Sequence, residues 1–331
     1  MTPAARDVVF YEVFAEEEEA IRRQWPAKSG IRFYENTIQE SGHTDPPARI
    51  ISIRTQSILP AHWAQQLDAL LTRSTGYDHL VAFIDMNLQI GYLPEYCARS
   101  VAEHAMLLWT ALLKKLPAAM NNMSSFSRSG ITGSELKGKR LLVVGVGHIG
   151  VEVARLGGAL GMHVQGMDIE HRHSAIEYVE AGADVSCYDV IVCAMNLTAD
   201  NHAFFDQAFF DAVKPGCIFI NIARGEMSPH DVLLAALRNG RLGGVGLDVF
   251  DNEAELACEL REQAGTGAAA RTVQALEQHP NVILTPHNAF NTAEATARKA
   301  EQTVRQLTGF LDNGRFVWSV PAHRSMQRAH R

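Results

Sequence analysis

Short apolar runs alternate with amphipathic stretches along nearly the whole chain, and that alternation predicts an α/β protein built on parallel sheets. In the first hundred residues, strand-like runs at 8–14, 31–35 and 50–54 are separated by helical patterns at 15–25 and 62–71. A long pattern over 100–116 carries apolar residues at three- and four-residue steps, which reads as a helix. A Ser/Gly-rich linker follows at 121–133. Beyond it come six strand-like runs, at 140–144, 163–168, 190–194, 218–222, 246–250 and 282–285, with helices predicted over 149–160, 204–213 and 229–239. Ser228, Pro229 and Asp231 read as the N-cap, first-turn proline and capping-box acid of the last of these. The Ala- and Glu-rich stretch 255–279, around GTGAAA, reads as an insertion over the surface. A helix over 293–311 and a polar, basic tail that should fray complete the pattern.

The stretch RLLVVGVGHIG, 140–150, carries the most specific signal. A β-branched apolar run leads into Gly145, Gly147 and Gly150 at G-x-G-x-x-G spacing, and a helical pattern follows. In that order Gly145 permits the tight turn, Gly147 has no Cβ to obstruct a pyrophosphate, and Gly150 lets the helix lie on its strand. The helix N-terminus then faces the phosphates. Asp168 ends the next strand, where a carboxylate accepts both ribose hydroxyls of the adenosine half and repels a 2′-phosphate. The expected cofactor is therefore NAD, not NADP. A second glycine cluster, Gly243, Gly244 and Gly246, lacks the following helix and reads as a turn and strand start.

With 331 residues the chain suits two domains, each able to bury a core. It is 47% apolar and 20% charged with a net charge of −7, so no basic excess points to nucleic acid or an anionic membrane. No apolar run has the length of a signal-peptide core or a membrane span, which makes a cytoplasmic protein the expectation. Cys97, Cys187, Cys193, Cys217 and Cys258 are scattered, and neither a disulfide framework nor a metal site is expected.

In open parallel sheets, ligands bind outside the carboxyl ends of the strands. Three chemically apt residues fall there: Arg224 in NIARG, Glu253 in DVFDNE and His287 in TPHNAF. Hydride delivery to the carbonyl carbon of a 2-oxo acid leaves charge on the oxygen, and a histidine supplies the proton. A carboxylate beside that histidine stabilises the imidazolium, and arginine offers a planar fork to the substrate's carboxylate and carbonyl oxygens. Earlier in the chain RSTGYDH, 73–79, breaks a strand-like segment with a Thr-Gly pair, a turn whose backbone amides suit an anion.

Taken together, RSTGYDHL, SVAEHA, GVGHIG with Asp168, NIARG, GLDVFDNE and LTPHNAF closely resemble the D-isomer-specific 2-hydroxyacid dehydrogenase family over most of the chain, nearest its D-lactate dehydrogenase branch. The resemblance implies two doubly wound parallel-sheet domains, a Rossmann-type NAD-binding domain (99–291) inserted in a flavodoxin-like substrate domain (1–98 and 292–331). Helices at 100–116 and 293–311 would form a hinge. It implies catalytic roles for Arg224 on the substrate, His287 as general acid/base and Glu253 as its partner. Thr75, Gly76, Tyr77 and Tyr96 would bind substrate, and His148, Ile149, Ala223 and Asp248 would join the glycines and Asp168 around the cofactor.

The expected reaction is reversible hydride transfer between NADH and a small 2-oxo acid of the pyruvate/D-lactate kind, in a homodimer that binds neither nucleic acid nor membrane. Two alternatives stand beside it. One is hydroxypyruvate, glyoxylate or phosphoglycerate chemistry, for which Arg54 and Arg73 are the candidate phosphate cations. The other is an NADH-sensing, corepressor-like binding protein. Formate chemistry is set aside because those relatives carry glutamine where Glu253 stands. Two departures from relatives touch the substrate more than the reaction: Asn196 replaces a usual proline, and 77–94 is short.

Overall fold

The computed structural model describes residues 7–26, 30–84, 86, 88–261 and 267–321. They divide into two compact units, Met1–Cys97 with Asn291–Arg331, and Ala98–Phe290. Each division falls one residue before the expected boundary.

The first unit holds β1 (Val8–Phe10), α1 (Ala15–Gln24), β2 (Ile31–Phe33), β3 (Ile50–Ile53), β4 (Ala69–Thr72) and β5 (Gln89–Gly91). The strands run parallel in the order β2-β1-β3-β4-β5, the doubly wound order of flavodoxin-like sheets. Its core gathers Val9, Tyr11, Ile51, Ile53, Trp63 and Leu70.

Two expectations fail in this unit. No helix forms over 62–71. Trp63 is wholly buried there and donates Nε1 to the Thr44 carbonyl at 3.0 Å, while Ala69, Leu70 and Leu71 of β4 are claimed by the sheet. The first strand also stops at Phe10 instead of 14. Glu12 takes φ +57°, and its carboxylate accepts from the amides of Arg54, Gln56 and Ser57 at 2.9, 3.1 and 3.0 Å. Burying that anion among three amides needs the turn, and the turn ends the strand.

The second unit runs α2 (Ala98–Leu113), α3 (Leu116–Asn121), β6 (Arg140–Val144), α4 (His148–Ala159), β7 (His163–Met167), β8 (Glu177–Tyr178), β9 (Val190–Cys193), α5 (Gln207–Ala212), β10 (Cys217–Asn221), α6 (His230–Arg238), β11 (Leu242–Leu247), α7 (Glu253–Arg261), α8 (Ala268–Glu277) and β12 (Val282–Leu284). The final helix, α9 (Ala293–Asn313), belongs to the first unit. Seven parallel strands lie in the order β12-β11-β10-β9-β6-β7-β8, a nucleotide-binding order extended by one edge strand. The two-residue β8 is the strand that the hydrophobic pattern does not reveal.

Other readings are corrected here. The stretch after Glu255 is not a surface insertion: Leu256, Ala270, Val273 and Leu276 of α7 and α8 are buried in the second unit's core. Gly243, Gly244 and Gly246 lie inside β11 and are not a turn before it. The expected N-cap of α6 is also displaced. The Ser228 hydroxyl accepts from Asn221 Nδ2 at 2.8 Å, and the helix begins at His230 behind Pro229 without a side-chain cap. The helix α5 starts three residues late because Phe204 and Phe205 pack against Phe209, with Asp206 capping the amide of Phe209 at 2.8 Å. The expected tail, 323–331, lies outside the described residues. Among the described residues, no helix is long and apolar enough to cross a membrane.

Candidate active site

The nucleotide loop joins β6 to α4, beside the point where the strand order reverses between β6 and β9. Gly145 has φ +91°, a conformation L side chains rarely adopt, and its amide donates to the Met167 carbonyl at 2.8 Å. A Cβ at Gly150 would lie 1.9 Å from the Gly145 carbonyl oxygen, so the helix starts in contact with the loop. Gly147 is different. It has ordinary backbone angles as the α4 N-cap, and a Cβ there would meet no protein atom within 4 Å. The space over it is open, as a pyrophosphate crossing the helix N-terminus requires. His148 is exposed and Ile149 half-buried on the first turn of α4.

Asp168 follows β7 with its carboxylate fixed from two sides. Oδ2 accepts from the Val146 amide at 2.6 Å, and Oδ1 accepts from the Glu170 amide at 3.0 Å. Each oxygen keeps a lone pair for a ribose hydroxyl. The glycine loop and its acid therefore fit the adenosine and pyrophosphate of NAD.

Arg224, Glu253 and His287 follow β10, β11 and β12, three neighbouring strands. Both oxygens of Glu253, the first residue of α7, reach His287 Nδ1, at 2.7 and 2.9 Å. A carboxylate only accepts, so Nδ1 carries the hydrogen and Nε2 is left for chemistry. His287 sits at φ +49°, a left-handed conformation in which histidine is several-fold enriched.

The loop that carries His287 hangs on Asp248, which is 1% exposed. Its Oδ1 accepts from the Thr285 hydroxyl at 2.6 Å and the Asn288 amide at 2.9 Å, and its Oδ2 from the Ala289 amide at 2.9 Å. Asp248 is thus occupied with the loop. His104, on α2, faces the Thr285 hydroxyl at 3.0 Å. Arg224 is set by Asn221, which is fully buried at the end of β10. The Asn221 side-chain amide donates to the Arg224 carbonyl at 2.8 Å and accepts from the amide of Ala223 at 3.0 Å. Arg224 Nη1 donates to the Ala223 carbonyl at 2.8 Å. Asn196 is closed into its loop, its carbonyl accepting from Asn201 Nδ2 at 2.8 Å.

In the first unit, the turn after β4 presents Thr75, Gly76 and Tyr77. No protein acceptor among the described residues takes their three amides. Ser74 Oγ donates to the Gly76 carbonyl at 2.6 Å, and Thr75 Oγ1 lies 3.4 Å from Cys97 Sγ. Tyr77 packs edge-on against Tyr92. Tyr96 is buried, its carbonyl accepting from Arg298 Nε at 2.9 Å, and burial pushes its hydroxyl well above the usual tyrosine range.

Arg73 and Glu17 are wholly buried and paired at 2.8 Å, and Lys299 Nζ reaches the same Glu17 oxygen at 2.9 Å. Arg73 also donates to the carbonyls of Tyr11 and Glu12 at 2.7 and 3.1 Å. It is therefore spent inside the unit, which removes it as a phosphate cation. Against the opposing effect of burial, Arg73 and Lys299 hold the Glu17 carboxyl down to about 2. Three site features escaped sequence reasoning: the pinning Asn221, the loop-holding part of Asp248, and Glu17 with Lys299. A polar residue closing an otherwise apolar strand was the available signal for Asn221, whereas nothing local marks Lys299.

Comparison with known proteins gives the family. Residues 105–289 match the model of the D-isomer specific 2-hydroxyacid dehydrogenase, NAD binding domain. The chain is 30% identical over 250 residues to the D-lactate dehydrogenase of Escherichia coli (strain K12), covering 73% of this chain and 75% of that one. It is also 30% identical over 249 residues to the aromatic 2-oxoacid reductase of Clostridium sporogenes (strain ATCC 15579), again 73% and 75% of the two chains. Among solved structures, the D-lactate dehydrogenase of Aquifex aeolicus complexed with NAD and lactic acid superposes with a TM-score of 0.81 at 27% identity, over 94% of this chain and 98% of that one.

Proposed function

Because the chain belongs to the D-isomer-specific 2-hydroxyacid dehydrogenase family, we propose that this NAD-dependent oxidoreductase reduces a small 2-oxo acid of the pyruvate class to the D-2-hydroxy acid. The observation that carries the reading is the His287–Glu253 pair, in which both carboxylate oxygens hold Nδ1 and leave Nε2 to exchange a proton.

Bound NADH supplies the hydride. The protein's own residues do the rest. His287 Nε2 holds the proton that the carbonyl oxygen takes as the carbon is reduced, and it recovers that proton in the reverse direction. Glu253 stabilises the imidazolium and fixes the ring. Arg224 polarises the carbonyl and orients the substrate with its planar fork. Asp248 acts through the loop it holds, keeping His287 in place. The unspent amides of Thr75, Gly76 and Tyr77 take the substrate carboxylate, and the first unit is the substrate domain.

The test is NADH oxidation at 340 nm across pyruvate, 2-oxobutyrate, 2-oxoisocaproate, phenylpyruvate, hydroxypyruvate and glyoxylate. Best turnover with the smaller oxo acids supports the reading, and best turnover with phenylpyruvate moves the substrate class to aromatic oxo acids. Silence on the whole panel with NADH still bound replaces it with an NADH sensor.

Two variants probe the parts separately. Arg224→Lys keeps the charge but loses the fork, and kcat/KM should fall roughly 100-fold. A fall of less than about threefold would leave Arg224 outside the reaction. Asp168→Asn keeps an acceptor oxygen and drops the charge, so the preference for NADH over NADPH should narrow about tenfold. An unchanged KM ratio would mean that this carboxylate does not read the ribose.

The reading includes a homodimer formed through the second unit. Leu107, Leu116, Met120, Met123 and Phe126 are all exposed along one stretch of it, and exposed apolar side chains grouped in this way suit a protein interface. Light scattering should give twice the 36.4 kDa chain mass, and Met120→Asp should lower it. A chain-mass particle at micromolar concentration would refute the dimer.

A further inference from the structure

Behind the substrate turn, the first unit buries a cluster of charged side chains. Arg73 Nε and Lys299 Nζ share one oxygen of Glu17, and the other oxygen, Oε2, has no hydrogen-bond partner. Arg54, after β3, adds a third positive charge within electrostatic reach of Glu17 and Lys299. The Glu17 carboxylate thus serves several cations, while the neighbouring buried carboxylate, Glu12, accepts from the backbone amides of Arg54, Gln56 and Ser57. Arginine stays protonated in proteins, so lysine is the member that yields its proton. Burial, helped by Arg54 and Arg73 and opposed by Glu17, pushes the Lys299 ammonium down to about 7.

The cluster is joined to the turn that offers its amides. Lys299 Nζ lies 5.8 Å from the centre of the Tyr96 ring. The next residue, Cys97, places its thiol 3.4 Å from Thr75 Oγ1. Arg73 enters the same turn two residues before Thr75. A charge on Lys299 is therefore one side chain removed from the turn, acting on Cys97, which touches Thr75, in a buried setting where water screens it little.

We propose that Lys299 is a positioning residue for the substrate anion: its ammonium, held by Glu17 behind the turn, strengthens the grip on the oxo-acid carboxylate, and its deprotonation loosens that grip. The titratable and charged groups facing Lys299 are Glu17 from α1, Arg54 after β3, Arg73 after β4, and Tyr96 and Cys97 ahead of α2. Burial raises both Tyr96 and Cys97, which keeps them neutral at working pH. Glu17 stays charged, held down by its cations. Lys299, whose ammonium burial pushes down, is left as the member able to change its charge. The proposal rests on the reading of the turn as the carboxylate site.

The experiment is steady-state kinetics of the full-length protein from pH 6 to pH 9 with the best oxo acid of the panel, comparing wild type, Lys299→Met and Lys299→Arg. For wild type, KM should rise about fivefold across the range while kcat changes less. Lys299→Arg, always charged, should hold the low KM at every pH. Lys299→Met should show the high KM throughout, while NADH affinity, read by fluorescence, stays as in wild type in both variants. A Lys299→Met profile that overlays wild type overturns the proposal, as does a Lys299→Arg profile that rises in parallel with it. Lost NADH affinity together with a lowered melting temperature in Lys299→Met overturns it too, marking the lysine as structural. Failure of the underlying reading has a different signature, because wild type itself would then turn over no oxo acid.

Discussion

Replacing His287 with Gln should lower kcat about 1,000-fold while leaving the NADH dissociation constant within roughly twofold of wild type. Positioned general acid/base catalysis is worth about 10²–10⁴ in rate, and nothing else on β10, β11 or β12 offers a proton in its place. The cofactor loop is on β6 and α4 and shares no hydrogen bond with His287, so cofactor binding should survive. The backbone sharpens the test. His287 takes φ +49°, which Asn tolerates and Gln adopts at some cost. His287→Asn should therefore melt closer to wild type than His287→Gln yet be equally inactive. Glu253→Gln should lose less than either, because its amide oxygen still accepts from Nδ1 while the charge opposite the imidazolium is gone. If His287→Asn kept wild-type turnover, the proton would come from elsewhere, and the pairing with Glu253 would be structural.

Much of this arrangement is legible in the sequence because chemistry and periodicity coincide there. The β6–α4 unit is a β-branched run, three glycines and an apolar-periodic helix, and each part reports the same structure. The residues at strand ends could be picked out because a parallel sheet delivers them to one edge. What failed depended on distant partners. The 62–71 segment has helical spacing, but Trp63 is buried against Thr44 and the last residues pair with β3 and β5. Tertiary pairing overrode the local pattern. The stretch after Glu255 looks polar and small enough to be an insertion, yet Leu256, Val273 and Leu276 fall on buried faces. Asp248 has the right place for a cofactor contact, and only the structure reveals that it also holds the loop, accepting from the amides of Asn288 and Ala289. Lys299 is the extreme case. Nothing near it in sequence calls for burial, since Glu17 and Arg73 arrive from α1 and from the end of β4.

Gly150 and Gly147 of the nucleotide loop should respond to alanine with different balances of lost stability and lost cofactor affinity, and that contrast tests the cofactor site without any substrate. At Gly150 a Cβ would stand 1.9 Å from the Gly145 carbonyl oxygen and 2.9 Å from its carbonyl carbon. Neither can yield easily, because Gly145 is itself held at φ +91° by its bond to the Met167 carbonyl. The helix must shift, so Gly150→Ala should cost about 3 kcal/mol of stability, as overpacking does, and NADH affinity should fall at least about 100-fold. At Gly147 the added methyl meets no protein atom within 4 Å, and the backbone angles suit alanine. Stability should drop by under about 1 kcal/mol, the size of an N-cap change. NADH should still bind about tenfold or more weakly, because the methyl occupies the space the pyrophosphate needs. Gly158, also in α4 and also facing open space, supplies the control: Gly158→Ala should gain up to about 1 kcal/mol in stability and leave NADH binding alone. Thermal melts and NADH fluorescence titrations on the three variants separate the outcomes. A Gly147→Ala protein that melts and binds NADH like wild type would show that the pyrophosphate does not cross this residue. The assignment of the cofactor path would then fail even with the fold intact.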